Sequence, residues 1–182
     1  MERAVTILEK HLGGEHPNVA TALNNLAQLL QATNRLTEAE PLMHRALAID
    51  EKSFGPDHPN VAIRLSNLAA LLKGTNRLVE AEPLMHRALA IDEKSFGPDH
   101  PKVAIRLNNL ARLLQDTNRL AEAEPLMLRC VTIFLDFTRK TGHEHPGLQT
   151  GIGNYFGLLM AMVKSPTEVE STIKKLVLAS QK

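Results

Sequence analysis

Apolar residues recur along the chain at steps of three and four, in segments bounded by proline, glycine or asparagine. Two such segments follow one another, from Pro59 to about Gly74 and from about Leu78 to Ser95. In each, the apolar residues fall on one side of a helix with 3.6 residues per turn. They are Val61, Leu65, Leu68, Ala69, Leu71 and Leu72, then Ala81, Leu84, Met85, Ala88, Leu89 and Ile91. The pattern predicts two amphipathic helices that pair as a hairpin, here called helix A and helix B.

The residues at the ends of these helices carry their own signals. Pro59 disfavours a helical conformation at His58 and is well tolerated at the first helical position, so His58 is predicted to cap helix A. Asn76 is predicted at the left-handed position that follows helix A, where asparagine is the best residue after glycine. Pro83 is expected in or just past the first turn of helix B, where few hydrogen bonds are lost.

The hairpin is repeated along the chain. The segment Gly55–Phe96 has near copies at Gly13–Phe54 and Gly97–Thr138. A His-Pro pair marks the register of each copy. Its histidines are His16, His58, His100 and His145, which lie 42, 42 and 45 residues apart by subtraction. A fixed period of this length is typical of repeat architectures, whose units stack on one another.

The copies resemble the tetratricopeptide repeat. That repeat has a large residue, a leucine, a small residue and a large residue along helix A, then a small, a large and a small residue along helix B. The matching residues are Leu23, Leu26, Ala27, Leu30, Ala39, Met43 and Ala46; Leu65, Leu68, Ala69, Leu72, Ala81, Met85 and Ala88; and Leu107, Leu110, Ala111, Leu114, Ala123, Met127 and Cys130. The usual unit has about 34 residues, and the longer unit here, with its LNNLA, EAEPL and RAL words, is similar to the kinesin light chain type. The resemblance implies an all-α, right-handed superhelical solenoid of stacked hairpins with nine helices, in which helix A lines the concave groove.

We predict a single solenoid over residues 1–182, because a solenoid grows by stacking. Its predicted units are a partial repeat at 1–12 that has only the second helix, repeats at 13–54, 55–96 and 97–141, and a divergent capping repeat at 142–182. The partial repeat favours a piece of a longer array over an N-terminal cap, and it offers a surface for self-association. Helix B of repeat 3 is expected to be three residues longer than the others, and Ser165–Glu168 is predicted to begin a final helix with a capping box.

Composition and charge exclude several classes of protein. The net charge is +1, with 21 basic and 20 acidic residues, and aromatic residues make up 3% of the chain, which argues against a nucleic-acid surface. No apolar run is long enough to cross a membrane, and a single cysteine fits a reducing compartment, so we predict a cytoplasmic protein. His143-Glu144-His145 is the only local histidine cluster and lacks the spacing of a metal site. No nucleophile and base recur together, so we predict neither a cofactor nor an enzyme.

The differences between repeats concentrate on helix A. Gly13–Phe54 and Gly55–Phe96 differ at nine of 42 positions, and six of these lie on helix A while avoiding the predicted core positions. We interpret them as residues that diversify the groove, although drift on a solvated face would give the same pattern. The candidate groove residues at these and the neighbouring positions are Asn24, Gln28, Arg64, Lys73, Arg106, Asn108 and Arg112.

One helix A position carries asparagine in every repeat. It is occupied by Asn25, Asn67, Asn109 and Asn154. Asparagine is a mediocre helix former, so its recurrence in mid-helix needs a reason. One interpretation is that each amide pairs with the backbone of an extended peptide, as the resemblance to the kinesin light chain type implies. The other is a structural ladder in which each amide bonds to a neighbouring helix.

Two functional hypotheses follow. The first is a protein–protein interaction module that binds an extended peptide or partner segment in the groove lined by helix A. The alternative is a ligand-sensing, regulatory array at the C-terminal end of a larger bacterial signalling NTPase or effector protein, which such near-identical repeats also resemble. The residues upstream of Met1 in the full gene would distinguish them.

Overall fold

A computed structural model describes residues 2–162 and 165–179. Within those ranges the chain forms nine α-helices and no β-strand, which confirms the all-α prediction. The helices are α1 (Glu2–Leu12), α2 (Pro17–Ala32), α3 (Leu36–Phe54), α4 (Pro59–Gly74), α5 (Leu78–Phe96), α6 (Pro101–Asp116), α7 (Leu120–Thr141), α8 (Leu148–Ala161) and α9 (Pro166–Ala179). Helices α2, α4, α6 and α8 are the A helices, and α3, α5, α7 and α9 are the B helices.

The contacts between helices group the chain into two compact units, residues 1–91 and 92–182, and the division falls within α5. In the first unit, α2 and α3 form a hairpin, α1 packs against α2, and α3 packs against α4. In the second, α6 and α7 form the hairpin, α7 packs against α8, and α8 packs against α9. Each unit therefore has the same plan, in which a hairpin packs on the helix that follows it. The single domain and the hand of the superhelix stay predictions.

Each A helix of the three regular repeats begins with a histidine cap. The backbone of His58 is extended (φ −80°, ψ 145°), and its Nδ1 accepts a hydrogen bond of 3.1 Å from the amide of Asn60. His16 and His100 make the same bond at the same length. The ring of Phe54, the last residue of the preceding helix, stacks on His58 with 4.6 Å between centroids. The His-Pro pair is thus a structural cap, as predicted, with proline at the first helical position.

The fourth His-Pro pair makes the same bond, but the helix begins later. Nδ1 of His145 accepts from the amide of Gly147 at 3.0 Å, and α8 begins only at Leu148. Phe134 stacks on His145 at 4.4 Å, and a Cβ atom at position 147 would lie 2.8 Å from the ring of Phe134. Only glycine fits this approach, because any side chain there would collide with the ring.

Asparagine ends the A helices of the regular repeats. Asn34, Asn76 and Asn118 have φ angles of 60°, 61° and 59°. After α4, the amide of Arg77 donates to the carbonyl of Leu72 at 2.8 Å, and the amide of Asn76 donates to the carbonyl of Lys73 at 3.0 Å. These two bonds form a Schellman motif, which satisfies the last carbonyls of the helix. The left-handed position predicted for Asn76 is confirmed.

The C-terminal elements also follow the sequence pattern. Helix α7 has 22 residues, against 19 for α3, so the predicted extension is confirmed. At the start of α9, the amide of Ser165 donates to Glu168 Oε2 at 2.9 Å, and the amide of Glu168 donates to Ser165 Oγ at 3.3 Å. This reciprocal pair is the predicted capping box.

The core consists of the aliphatic residues that face between helices. Leu65, Leu68 and Leu71 of α4 are buried, as predicted. Leu29 occupies in α2 the register of Leu71 in α4, yet Leu29 is 50% exposed and Leu71 is fully buried. The two residues are identical, so the difference arises from what packs beside each helix.

This pair of leucines gives a matched test of the packing. Leu71→Ala should lower the free energy of unfolding by ~2–5 kcal/mol, because it leaves a cavity in a closed site. Leu29→Ala should cost less than about 1.5 kcal/mol, because about half of that side chain already contacts water. Urea unfolding of both variants measures the two values. Equal losses would show that the exposed face of α2 is covered in solution.

Candidate peptide-binding face

Two of the predicted groove residues, Asn24 and Arg64, are buried. These two varied positions therefore lie in the interior, although they are not among the core positions of the repeat pattern. Both lie on the side of helix A that meets the neighbouring repeat, where their polar groups have partners. Their side chains act between repeats and offer little surface to a ligand.

Arg64 joins α4 to the preceding repeat. Its Nε lies 2.8 Å from Asp50 Oδ2 on α3, and its Nη2 donates to Thr21 Oγ1 on α2 at 3.0 Å. Asp50 Oδ1 is buried and accepts no hydrogen bond from the residues that the structure describes. In the second unit, Arg106 Nε lies 2.8 Å from Asp92 Oδ2. Arg64 and Arg106 thus hold helix A against the preceding helix B.

The same register is filled by apolar residues at the two ends of the chain. Sequence alignment of the repeats places Leu8 and Ala22 one repeat before Asp50 and Arg64, in the same register. At the other end Phe134 and Gly151 take these places, and a Cβ atom on Gly151 would lie 3.5 Å from the ring of Phe134. The two positions change together from apolar to ionic. That coupled exchange is the sequence signal that identifies Arg64 as an internal partner.

The coupling predicts a specific rescue. Arg64→Ala alone should lower the free energy of unfolding by ~3–5 kcal/mol, because it leaves the buried carboxylate of Asp50 without its counter-ion. Adding Asp50→Leu recreates the Leu8–Ala22 combination and should restore stability to within about 1.5 kcal/mol of the parent. A double-mutant cycle by urea unfolding measures the coupling. If the losses of the two single variants simply add in the double variant, Asp50 and Arg64 do not stabilise each other.

The asparagine column forms hydrogen bonds between A helices. Asn67 Nδ2 donates to Asn24 Oδ1 at 2.8 Å in the first unit, and Asn154 Nδ2 donates to Asn108 Oδ1 at 2.8 Å in the second. The four residues sit on successive A helices within each unit. This geometry supports the structural-ladder interpretation for Asn67 and Asn154, and it places those amides at a junction between repeats.

The other candidate residues reach solvent. Asn25, Gln28 and Arg112 are exposed, and Lys73 and Asn109 are half-buried. In the first unit, the accessible set of candidate residues on helix A is therefore Asn25, Gln28, Asn67 and Lys73. In the second unit it is Asn108, Asn109, Arg112 and Asn154. We call the four residues of each unit the helix A face of that unit.

Asn67 and Asn25 provide a matched test of the ladder. Asn67→Ala should lower the free energy of unfolding by about 1–2 kcal/mol, because the loss of a bond to buried Asn24 outweighs the better helix propensity of alanine. Asn25→Ala should raise it by up to about 0.7 kcal/mol, because only the propensity changes at that exposed site. Thermal and urea unfolding decide between these signs. Equal changes in the free energy of unfolding at both positions would show that the ladder does not stabilise the fold.

Cys130 and Tyr155 are both buried. Burial raises the pKa of the Cys130 thiol to about 12, so the thiol stays protonated and is a poor nucleophile. Tyr155 is buried and donates to Glu124 Oε1 at 2.9 Å; burial and this bond raise the pKa of its hydroxyl.

Among the described residues, no three histidine, cysteine, aspartate or glutamate side chains are placed to share a metal ion. No helix in the described ranges has the length and apolar character needed to cross a bilayer.

Comparison with known proteins identifies the repeat. A sequence model described as the tetratricopeptide repeat matches residues 1–52, 20–83 and 65–136. No curated protein matches the chain by sequence. Together the three matches cover residues 1–136, which is more than half of the chain.

Solved structures share the fold. One is a Podosopora anserina protein of the kinesin light chain type, whose TPR-like repeats are nearly identical to one another. Its sequence is 26% identical to this chain, and the two structures superpose with a TM-score of 0.77 over 99% of this chain and 83% of that chain. BtubC (BKLC) from P. vanneervenii is 20% identical, with a TM-score of 0.78 over 98% of this chain and 70% of that chain, and shows the fold alone. The resemblance to a kinesin light chain-like tetratricopeptide array is confirmed.

Proposed function

We propose that this chain, which belongs to the tetratricopeptide repeat family, binds an extended peptide or partner segment along the helix A face. Tetratricopeptide repeats are generally protein-interaction modules, and their fold is generally a scaffold without catalytic activity. The proposal for this chain concerns which surface binds the partner and which side chains on that surface recognise it.

The proposal rests on the location of the sequence differences between repeats that are accessible to solvent. The exposed position of Gln28 holds Ala70 in repeat 2 and Arg112 in repeat 3. Across the whole of helix B, repeats 1 and 2 differ only at Thr37 and Val79. Helix B also has a solvated face, so neutral drift should have changed both helices alike. The concentration on helix A of the differences between repeats 1 and 2 supports a recognition surface there.

The asparagine ladder is compatible with peptide binding. An amide side chain has two donor hydrogens and two acceptor lone pairs, and the bond from Asn67 to Asn24 uses one donor. The remaining groups of half-buried Asn67 suit the alternating donors and acceptors of an extended backbone. A side chain whose orientation is already held by a neighbour also loses less entropy when it binds.

Charge on the helix A face supports an acidic partner. The exposed position that holds Gln28 in repeat 1 and Ala70 in repeat 2 holds Arg112 in repeat 3. Cations at the edge of a binding surface steer association and select partners more than they add affinity. We therefore expect carboxylates on the bound segment and an affinity that falls with salt.

A phage-displayed library of 12-residue peptides provides the probe. Peptides selected on the parent chain should lose ~1–3 kcal/mol of binding free energy with Asn109→Ala, because backbone groups of the peptide are left unpaired. Arg112→Glu should shift the selection away from acidic peptides. Isothermal titration calorimetry of the selected peptides measures both effects, with circular dichroism to confirm folding.

Val79→Ala is the matched control, because Val79 is exposed on helix B. It should leave peptide affinity unchanged. The proposal fails if Val79→Ala weakens binding as much as Asn109→Ala does. It also fails if Asn109→Ala reduces only the folded fraction and the folded protein binds normally.

A further inference from the structure

The end of α7 departs from the repeat pattern at side chains that reach solvent. Asp136 and Phe137 take the places that Lys94 and Ser95 hold in repeat 2, so a charge is reversed and a small polar side chain becomes aromatic. Helix α7 is also longer than α5, with 22 residues against 19. Insertions in repeat proteins lie on one face, which is often a binding face. This end of α7 is therefore a candidate for a site that repeat 2 does not have.

A hollow of about 410 Å³ lies between this end of α7 and the segment that joins α5 to α6. Phe96, Pro98 and Pro101 line it on one side, and Phe137 lines it on the other. Sites for small molecules typically measure about 300–1,000 Å³ and combine an apolar lining with a few polar groups. The hollow thus has the size and the apolar lining that suit one small molecule.

The aromatic rings on both walls are held by their neighbours. The ring of His100 stacks on Phe96 with 4.9 Å between centroids, and Lys102 Nζ lies 4.1 Å from the centre of the Phe96 ring. On the other wall, the ring of Phe137 meets the ring of His145 edge to face at 5.2 Å. Rings that are already fixed lose little conformational entropy when a ligand binds between them.

Two opposite charges also line the hollow. Asp99 belongs to the segment before α6 and Lys140 belongs to the end of α7, and both side chains are exposed. Neither forms a hydrogen bond or an ion pair with another residue in the described ranges. Asp136, which also lines the hollow, is paired with Arg139 at 3.1 Å. The hollow therefore presents one unpaired anion and one unpaired cation beside an apolar surface.

We propose that this hollow binds a free α-amino acid with an apolar side chain. The ligand's ammonium group pairs with Asp99, its carboxylate pairs with Lys140, and its side chain lies between Phe96 and Phe137. A ligand with a single charge leaves one of the two side chains without a partner. Exposed ion pairs contribute little affinity, so the apolar contact provides most of the binding and the charges select the ligand. The site uses no residue of either helix A face.

Four ligands test the proposed chemistry. The ¹⁵N-labelled chain is titrated with L-phenylalanine and followed by NMR, and saturable shift changes are expected at residues 96–101 and 136–141. 3-Phenylpropionate lacks the ammonium group and phenethylamine lacks the carboxylate. Each should bind about threefold more weakly than L-phenylalanine, because each loses one exposed ion pair. Glycine keeps both charges but has no side chain, so it should bind more than about tenfold more weakly.

Variants of the chain assign each charge to its partner. Lys140→Gln should weaken L-phenylalanine about threefold and leave phenethylamine unchanged, because phenethylamine has no carboxylate to lose a partner. Asp99→Asn should likewise weaken L-phenylalanine and leave 3-phenylpropionate unchanged. Phe137→Ser installs the residue of repeat 2 and should weaken all three aromatic ligands by more than about fivefold. Lys174→Gln removes an exposed cation of α9 and is the matched control, which should change no affinity.

Circular dichroism confirms that each variant is folded. The proposal is overturned by any of three results. The first is no saturable shift with L-phenylalanine at millimolar concentration. The second is equal affinity for the three aromatic ligands on the parent chain, and the third is a set of saturable shifts that lie only outside residues 96–101 and 136–141.

Discussion

The contact between helix A and the preceding repeat is the constraint on which the rest of this protein depends. A single hairpin has an apolar side that it cannot cover by itself, and stacking supplies the cover. In the first unit this contact combines buried leucines with the ion pair of Asp50 and Arg64 and the amide bond of Asn67 and Asn24. The apolar surface provides most of the stabilisation. The polar pairs select the register, because a shifted helix would leave a buried charge or amide unpaired.

One side of helix A packs against the neighbouring repeat and the other side is accessible to solvent, and these two sides tolerate substitution differently. Asn24 and Asn67 form a bond between neighbouring helices, while Gln28 and Lys73 lie on the accessible side. A change on the inner side requires a compensating change in the neighbouring repeat, as the exchange of Leu8 and Ala22 for Asp50 and Arg64 shows. A change on the outer side requires none. Recognition can therefore diversify on the outer side while the stack keeps its geometry, which makes such a repeat suitable for binding.

The helices nearest the start and the end of the described residues are covered to different extents. At the C-terminal end, Phe134 packs against Gly151, Tyr155 donates to Glu124, and α9 packs on α8 with a capping box at its start. At the N-terminal end, Leu29 and Ile7 stay in contact with water. The C-terminal residues depart from the repeat pattern, whereas Leu29 keeps it.

The amino-acid sequence alone determined the helices, their caps and the repeat register. Hydrophobic period, the His-Pro pair and Asn76 act within a few residues, so they can be interpreted without knowing the fold. The sequence also identified the asparagine column, but it left two interpretations of it open. Only the tertiary structure decided that Asn24 and Arg64 are buried, and that Arg77 pairs with Glu40 of the preceding repeat as well as with its neighbour Glu80. Those contacts join residues separated by about one repeat length, and helical periodicity defines the face of a side chain but not the neighbour that covers it.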